Sequence, residues 1–267
     1  MLVAALSLSD APGCTTAAIA LAQQWPRPVI LVEADTSHAS SVLPGLFKGE
    51  QPQRFGVLDL AALHRNGELT EEAVLTHALR LGGDSEHRII PGFTGPGPAQ
   101  SAASSWGALT DLFVRLEEAG VDVLADLGRF GPSDPRTALL TRADTVAVFA
   151  AADLPGLYSM RTRLPELREA LSTGSDAARL GVVLRQHPAA IQGYSAREVR
   201  SALNTTTWGT IPWDPAGAAA YSHGTQKAAR PLSRRQYERS IAALGTTIRE
   251  AVATRRSELG SIEGSNA

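Results

Sequence analysis

The sequence predicts an α/β fold, a mostly parallel, doubly wound sheet of about seven or eight strands flanked by helices. Two observations carry this. Short, continuous apolar runs recur between turn residues, and the stretches that separate them have helical periodicity. Runs of that kind suit strands buried on both faces, as in a parallel sheet. In addition, the 267 residues are 43% hydrophobic and 19% charged, which is enough apolar material for one sizeable core.

The first strand is expected at Leu2 to Leu8, and the second at Pro28 to Val32, closed by Glu33 and Asp35. Between them Thr15 to Gln24 is alanine-rich without internal Gly or Pro, which favours a helix. Together they have the length of a βαβ unit. Further strands are expected at Arg88 to Ile90, Val121 to Ala125, Thr145 to Ala150, Gly181 to Leu184 and Thr207 to Ile211. Helices are expected at Leu58 to Leu63, Glu71 to Leu81, Ser104 to Ala119, Pro135 to Thr141, Leu154 to Leu171 and Ala196 to Leu203. Phe93 to Ser105, rich in Gly, Pro, Ala and Ser, reads as a loop over the strand ends. A final helix from Arg234 to Arg256 would turn Tyr237, Ile241, Leu244, Ile248 and Val252 inward, leaving Ser257 to Ala267 as a flexible tail.

Charge and cysteine content narrow the function. A net charge of −2 and a pI near 6.3 offer no general attraction to polyanions, so nucleic-acid binding is not expected. Arg230, Arg234, Arg235, Arg239, Arg249, Arg255 and Arg256 would form a face for DNA or an acidic partner, or else, the preferred reading, a solvated helix interleaved with Glu238, Glu250 and Glu258. One cysteine, Cys14, excludes an internal disulfide. No apolar run reaches the ~20 residues that span a bilayer, and Met1 to Leu6 lacks a basic flank, so a cytoplasmic protein is expected. His38, His64, His77, His87, His187 and His223 show no metal-ligand spacing.

The segment most informative about chemistry runs from Ser7 to Thr16, Ser-Leu-Ser-Asp-Ala-Pro-Gly-Cys-Thr-Thr, between the first strand and first helix. In a phosphate-binding loop, glycines let backbone N–H groups converge on phosphate oxygens, a lysine neutralises charge and a Ser/Thr hydroxyl reaches Mg²⁺. Gly13, Thr15 and Thr16 fit that pattern, whereas Cys14 stands in the lysine's place.

The order of features resembles the ParA/MinD family of deviant Walker ATPases over nearly the whole chain. The family's Lys-Gly-Gly-x-Gly-Lys-Thr-Thr lies on Ser9 to Thr16, with both lysines absent. Val29 to Asp35 is similar to the second-strand motif that ends Asp-x-Asp. Val121 to Asp126 resembles the Walker B strand, followed by Leu127-Gly128-Arg129 in place of a turn. Arg142 to Phe149 matches a strand introduced by Ala-Asp. Leu180 to Arg185 matches a strand that in the family ends in an adenine-reading Asn, and Trp208 to Asp214 is similar to a Gly-x-Ile-Pro-x-Asp segment beside the base. The resemblance implies one ParA/MinD-like domain over residues 1–256, with a P-loop NTPase-like fold.

It also implies a site. ATP or ADP would be held by Gly13, Cys14, Thr15, Thr16, Arg185, Pro212 and Asp214, and Mg²⁺ by Thr15, Asp35 and Asp126. Glu33 and Asp35 would serve the attacking water if the protein is active. Each residue also has a structural reading. Cys14 is a reactive thiol at a helix N-terminus or a small filler. Thr15 is a metal ligand or a helix cap, Glu33 and Asp35 are metal-side acids or caps, and Asp126 is a metal-side acid or a structural acceptor. Losing both lysines, gaining Asp10 and losing a backbone donor at Pro12 all weigh against triphosphate hydrolysis. The sequence therefore points to a non-hydrolysing protein, with or without bound nucleotide, that dimerises and positions or regulates a protein partner. The alternative is a Mg-dependent ATPase with another basic group in the lysines' place.

Overall fold

The computed structural model describes residues 1–9, 13–51, 56–82, 86–171, 179–186, 193–224 and 231–265. Its centre is an eight-stranded sheet. The strands are β1 (Leu2–Ser7), β2 (Val29–Glu33), β3 (Leu79–Arg80), β4 (His87–Ile90), β5 (Asp122–Arg129), β6 (Thr145–Ala151), β7 (Leu180–Arg185) and β8 (Thr207–Ile211). They lie in the order β3-β4-β2-β5-β1-β6-β7-β8, all parallel except the short edge pair β3 and β4. The helices are α1 (Cys14–Gln23), α2 (Val57–Asn66), α3 (Glu71–His77), α4 (Pro96–Ser101), α5 (Trp106–Arg115), α6 (Thr137–Arg142), α7 (Leu154–Leu171), α8 (Ala196–Leu203), α9 (Pro215–Ser222) and α10 (Pro231–Ser265).

Alternation along β1 divides the core. Leu2, Ala4 and Leu6 join the layer formed with α2 through α8, while Val3 and Ala5 join the layer formed with α1, α9 and α10. In the second layer α1 is buried almost all round, which its alanines permit because they let helix and sheet approach closely. Tyr237, Ile241, Leu244, Ile248 and Val252 of α10 face inward as the periodicity predicts. Trp208 of β8 lies flat over Gly181 of β7, where an added Cβ would stand 2.0 Å from the indole ring. No described helix is long and apolar enough to cross a membrane.

The structure corrects several expected boundaries. The helix expected over Glu71 to Leu81 stops at His77, because Ala78 turns to extended backbone (φ −89°, ψ 121°) and Leu79 pairs with Ile89. The Phe93 to Ser105 segment is not a plain loop: α4 and a 3₁₀ turn at Ala103–Ser105 occupy it. Pro96 sits in the first turn of α4, where its missing N–H is not needed. Sequence reading also missed α9, which Asp214 caps by accepting from the Gly217 N–H at 2.9 Å. β5 runs on through Leu127-Gly128-Arg129 without a turn. The last helix continues past Arg256 to Ser265. Arg256 is not a free surface charge, since it donates to Glu117 and Asp144 at 2.6–2.8 Å. Among the residues weighed above, Asp10, Pro12, His187 and Arg230 lie outside the described residues.

Candidate nucleotide-type site

The site forms at the carboxyl ends of the central strands, where β1 sits between β5 and β6 and the connections diverge, the usual place for ligands in open α/β sheets. β1 delivers the loop and α1 begins at Gly13, whose φ of 77° lies in the left-handed region that glycine adopts without strain. Gly13 is the N-cap and no side chain caps the helix, so Thr15 sits inside the first turn and is not a cap. At the loop's start, Ser7 and Ser9 bond to one another, and Arg163 of α7 donates to the carbonyls of Leu8 and, at 2.7 Å, Phe130.

The sequence-derived residues separate into three groups. In the first, Cys14 and Asp126 are both fully buried, and the thiol donates to Asp126 Oδ1 at 3.3 Å. The same oxygen accepts the Gly128 N–H at 3.0 Å, while Oδ2 is buried without a well-formed hydrogen bond. Burial pushes the Asp126 carboxyl above the usual range, against the pull of the nearby Thr15 hydroxyl, the Gly128 amide and the thiol. Burial, and then the Asp126 charge, likewise push the Cys14 thiol well up. This is the opposite of an activated thiolate, so the reactive-thiol reading of Cys14 finds no support. Asp35 closes the group from β2: an added Cβ on Gly128 (φ 53°) would stand 2.0 Å from Asp35 Oδ2. Its Oδ1 accepts from the Ser37 N–H at 2.7 Å, an Asx turn and not a helix cap.

Glu33 forms the second group. Only 4% exposed, it accepts from the Ser40 hydroxyl, the Gly92 N–H at 2.8 Å and the Ser41 N–H at 3.3 Å. Burial pushes its carboxyl up to about 7, with these donors pulling the other way. It therefore points toward the segments after β2 and β4, not toward the loop after β1.

The third group lines a cavity of about 440 Å³ that brings together Gly13, Thr16, Arg185, Pro212 and Asp214 with the apolar walls of α9 and Tyr237. This volume suits a small-molecule ligand. The half-buried Arg185 guanidinium stacks on the Trp213 ring at 4.9 Å, and its Cδ passes 3.8 Å from where a Gly13 Cβ would be. Its Nε is buried without a partner.

Reading the sequence did not find the group that ties the strand ends together. Arg136, 1% exposed, donates to the carbonyls of Ala34 and Arg129 at 2.9 Å, to Leu127, and to Asp134 at 2.5–2.7 Å. It fixes the ends of β2 and β5, and thereby Asp35 and Asp126, relative to each other.

A nucleotide fits part of this arrangement. The cavity has the volume for a base, Gly13 opens α1 toward it, and the buried Asp126 Oδ2 near Thr15 and Asp35 has the oxygen chemistry a hydrated Mg²⁺ takes. The phosphate end fits less well, because Cys14 and Ser9 supply no cation. Among the described residues no three His, Cys, Asp or Glu side chains converge as a ready-made metal cluster.

No protein-family model matches the chain, and no curated protein matches it in sequence. Solved structures do match in fold. A ParA family ATPase from Chlorobium tepidum TLS superposes with a TM-score of 0.72 at 13% identity, over 92% of this chain and 98% of that one. MinD of Pyrococcus horikoshii OT3, complexed with Mg-ADP, gives 0.65 at 12%, over 95% and 98%. A chain of the MinC:MinD cell division protein complex of Aquifex aeolicus gives 0.66 at 12%, over 94% and 96%. At these identities the likeness establishes the shared fold.

Proposed function

Because the chain has the fold of the ParA/MinD ATPases, we propose that it is a degenerate protein of that type, one that binds and positions or regulates a protein partner without hydrolysing nucleotide. The observation that carries this is Cys14. At the position where a phosphate-binding loop needs its lysine, the side chain is fully buried and hydrogen-bonded to Asp126, so it neither carries charge nor faces the cavity. A charge-assisted hydrogen bond contributes about 1.5–3 kcal/mol, and phosphoryl transfer depends almost entirely on such positioned charge. ATP or ADP with Mg²⁺ remains a candidate ligand, with the base in the cavity, Thr16 beside the phosphates, and Thr15, Asp35 and Asp126 nearest the metal. Bound Mg²⁺ would neutralise phosphate charge, and this chain's own residues would contribute little more of it. A homodimer and a protein partner in partitioning, localisation or secretion assembly suit the fold, as the MinC complex of a structural neighbour illustrates.

The test is phosphate release from Mg-ATP together with calorimetric titration, on the parent and on Cys14→Lys. The parent should release no phosphate, and Cys14→Lys, its folding checked by thermal melting, should bind ATP at least about tenfold more tightly. The second reading is a Mg-dependent ATPase with another basic group in the lysines' place, and the passage of Arg185 beside Gly13 favours that residue for the role. Steady phosphate release by the parent, lost in Arg185→Ala, would establish it and refute the proposal.

A further inference from the structure

We propose that the cavity beside Gly13 selects a guanine base over an adenine base, with Arg185 as the residue that reads it. The inference rests on taking this cavity as the base end of a nucleotide site. Most of its wall is apolar, which suits the faces of a purine but cannot distinguish one purine from another. Discrimination falls to the polar groups, and several of these are already committed. Asp214 Oδ1 accepts from the Gly217 N–H at 2.9 Å, and the Ser222 hydroxyl lies 3.3 Å from the Ala218 carbonyl and 2.6 Å from His223 Nδ1. The Arg185 guanidinium is held against the Trp213 ring at 4.9 Å with the Asp153 charge near it, and its Nε is buried with no acceptor.

A guanidinium has five donors and no acceptor. The base edge it meets must therefore present acceptors. Guanine presents two, O6 and N7, spaced for the two-pronged contact that arginine makes. Adenine presents N7 beside the N6 amino group, which would set donor against donor and leave both unpaired. Asparagine in place of Arg185 would offer one acceptor and one donor, the pattern that pairs with adenine N6 and N7.

Calorimetric titration of the full chain with Mg²⁺ and GDP, ADP, guanosine or adenosine tests this, repeated on Arg185→Asn and Arg185→Lys with folding checked by melting. The parent should bind GDP about 5- to 150-fold more tightly than ADP. Arg185→Asn should reverse the order, and Arg185→Lys should keep a weaker guanine preference. Equal or tighter binding of ADP by the parent overturns the proposal. So does an equal loss of both diphosphates in Arg185→Asn with the nucleosides unaffected, which would assign Arg185 to phosphate. Absence of any purine binding overturns it as well. None of these binding results bears on the non-hydrolysing assignment, which fails only if the parent releases phosphate from Mg-ATP or, with a guanine preference, from Mg-GTP.

Discussion

Raising the pH from about 4.5 to 7 should cost this fold stability through the Glu33 carboxyl. Its ordinary value is 4.5, and burial in the structure pushes it up to about 7. Between those values the native protein holds a proton that the unfolded chain has released. Stability therefore falls as the pH rises through that window, and the cost is complete above about 7. The difference of about 2.5 units, at 1.36 kcal/mol each, is about 3 kcal/mol. The assay is urea unfolding of the parent and Glu33→Gln at pH 5 and pH 8. Gln keeps an acceptor for one of the two backbone N–H groups at Gly92 and Ser41 but turns its amide toward the other. The variant should therefore be weaker at pH 5, where the parent's carboxyl is neutral, and should gain on the parent by about 2.5 kcal/mol between pH 5 and pH 8, since the unfolded chain is already mostly ionised at pH 5. Taking the difference between the two proteins removes titrations elsewhere. If the gap between parent and variant is the same at both pH values, Glu33 is ionised at its ordinary value and the account of its burial is wrong.

Two other substitutions probe the packing. Gly181→Ala should destabilise by about 1–3 kcal/mol, because the new methyl meets the Trp208 indole at 2.0 Å; in chemical denaturation most of that loss should be recovered when Trp208→Leu is added, and simple additivity of the two losses would refute the assigned clash. Arg136→Met should cost about 3–5 kcal/mol by removing the cation beside Asp134 and the donor to the Ala34, Leu127 and Arg129 carbonyls, and a melting temperature within a degree or two of the parent's would show that Arg136 does not hold the strand ends.

The fold was legible because the physics of a doubly covered sheet writes itself as apolar runs. Val29 to Val32, Thr145 to Ala150 and Gly181 to Leu184 are all near-fully buried strands. Failures came where local and tertiary signals disagreed. Leu79 and Leu81 continue an apolar helical spacing, yet pairing with β4 pulls that stretch out of the helix. Pro96 and Pro215 look like breakers, although each sits in the first turn of a helix, where proline is at home. For the site, motif order brought Gly13, Thr16, Arg185, Pro212 and Asp214 to one cavity. Spacing could not show that Cys14 turns inward to Asp126, nor that Glu33 turns away from the loop. Arg163 escaped notice because its partners are backbone carbonyls, which carry no sequence signature, and Arg136 because, apart from its neighbour Asp134, it too is held by carbonyls.

Arg163 has a mechanical meaning. One guanidinium from the middle of α7 holds the chain just before the Gly13 loop and just after β5, so the root of that loop is fastened to a helix and not only to its own strand. The first turns of the same helix present Leu154 and Tyr158, 65% and 68% exposed, to the surroundings. A displacement of Leu8 away from α7 must break part-buried hydrogen bonds of Arg163 or shift α7 and those two side chains with it. Any surface that Leu154 and Tyr158 meet is thereby carried on the same helix that anchors Leu8, at the root of the loop.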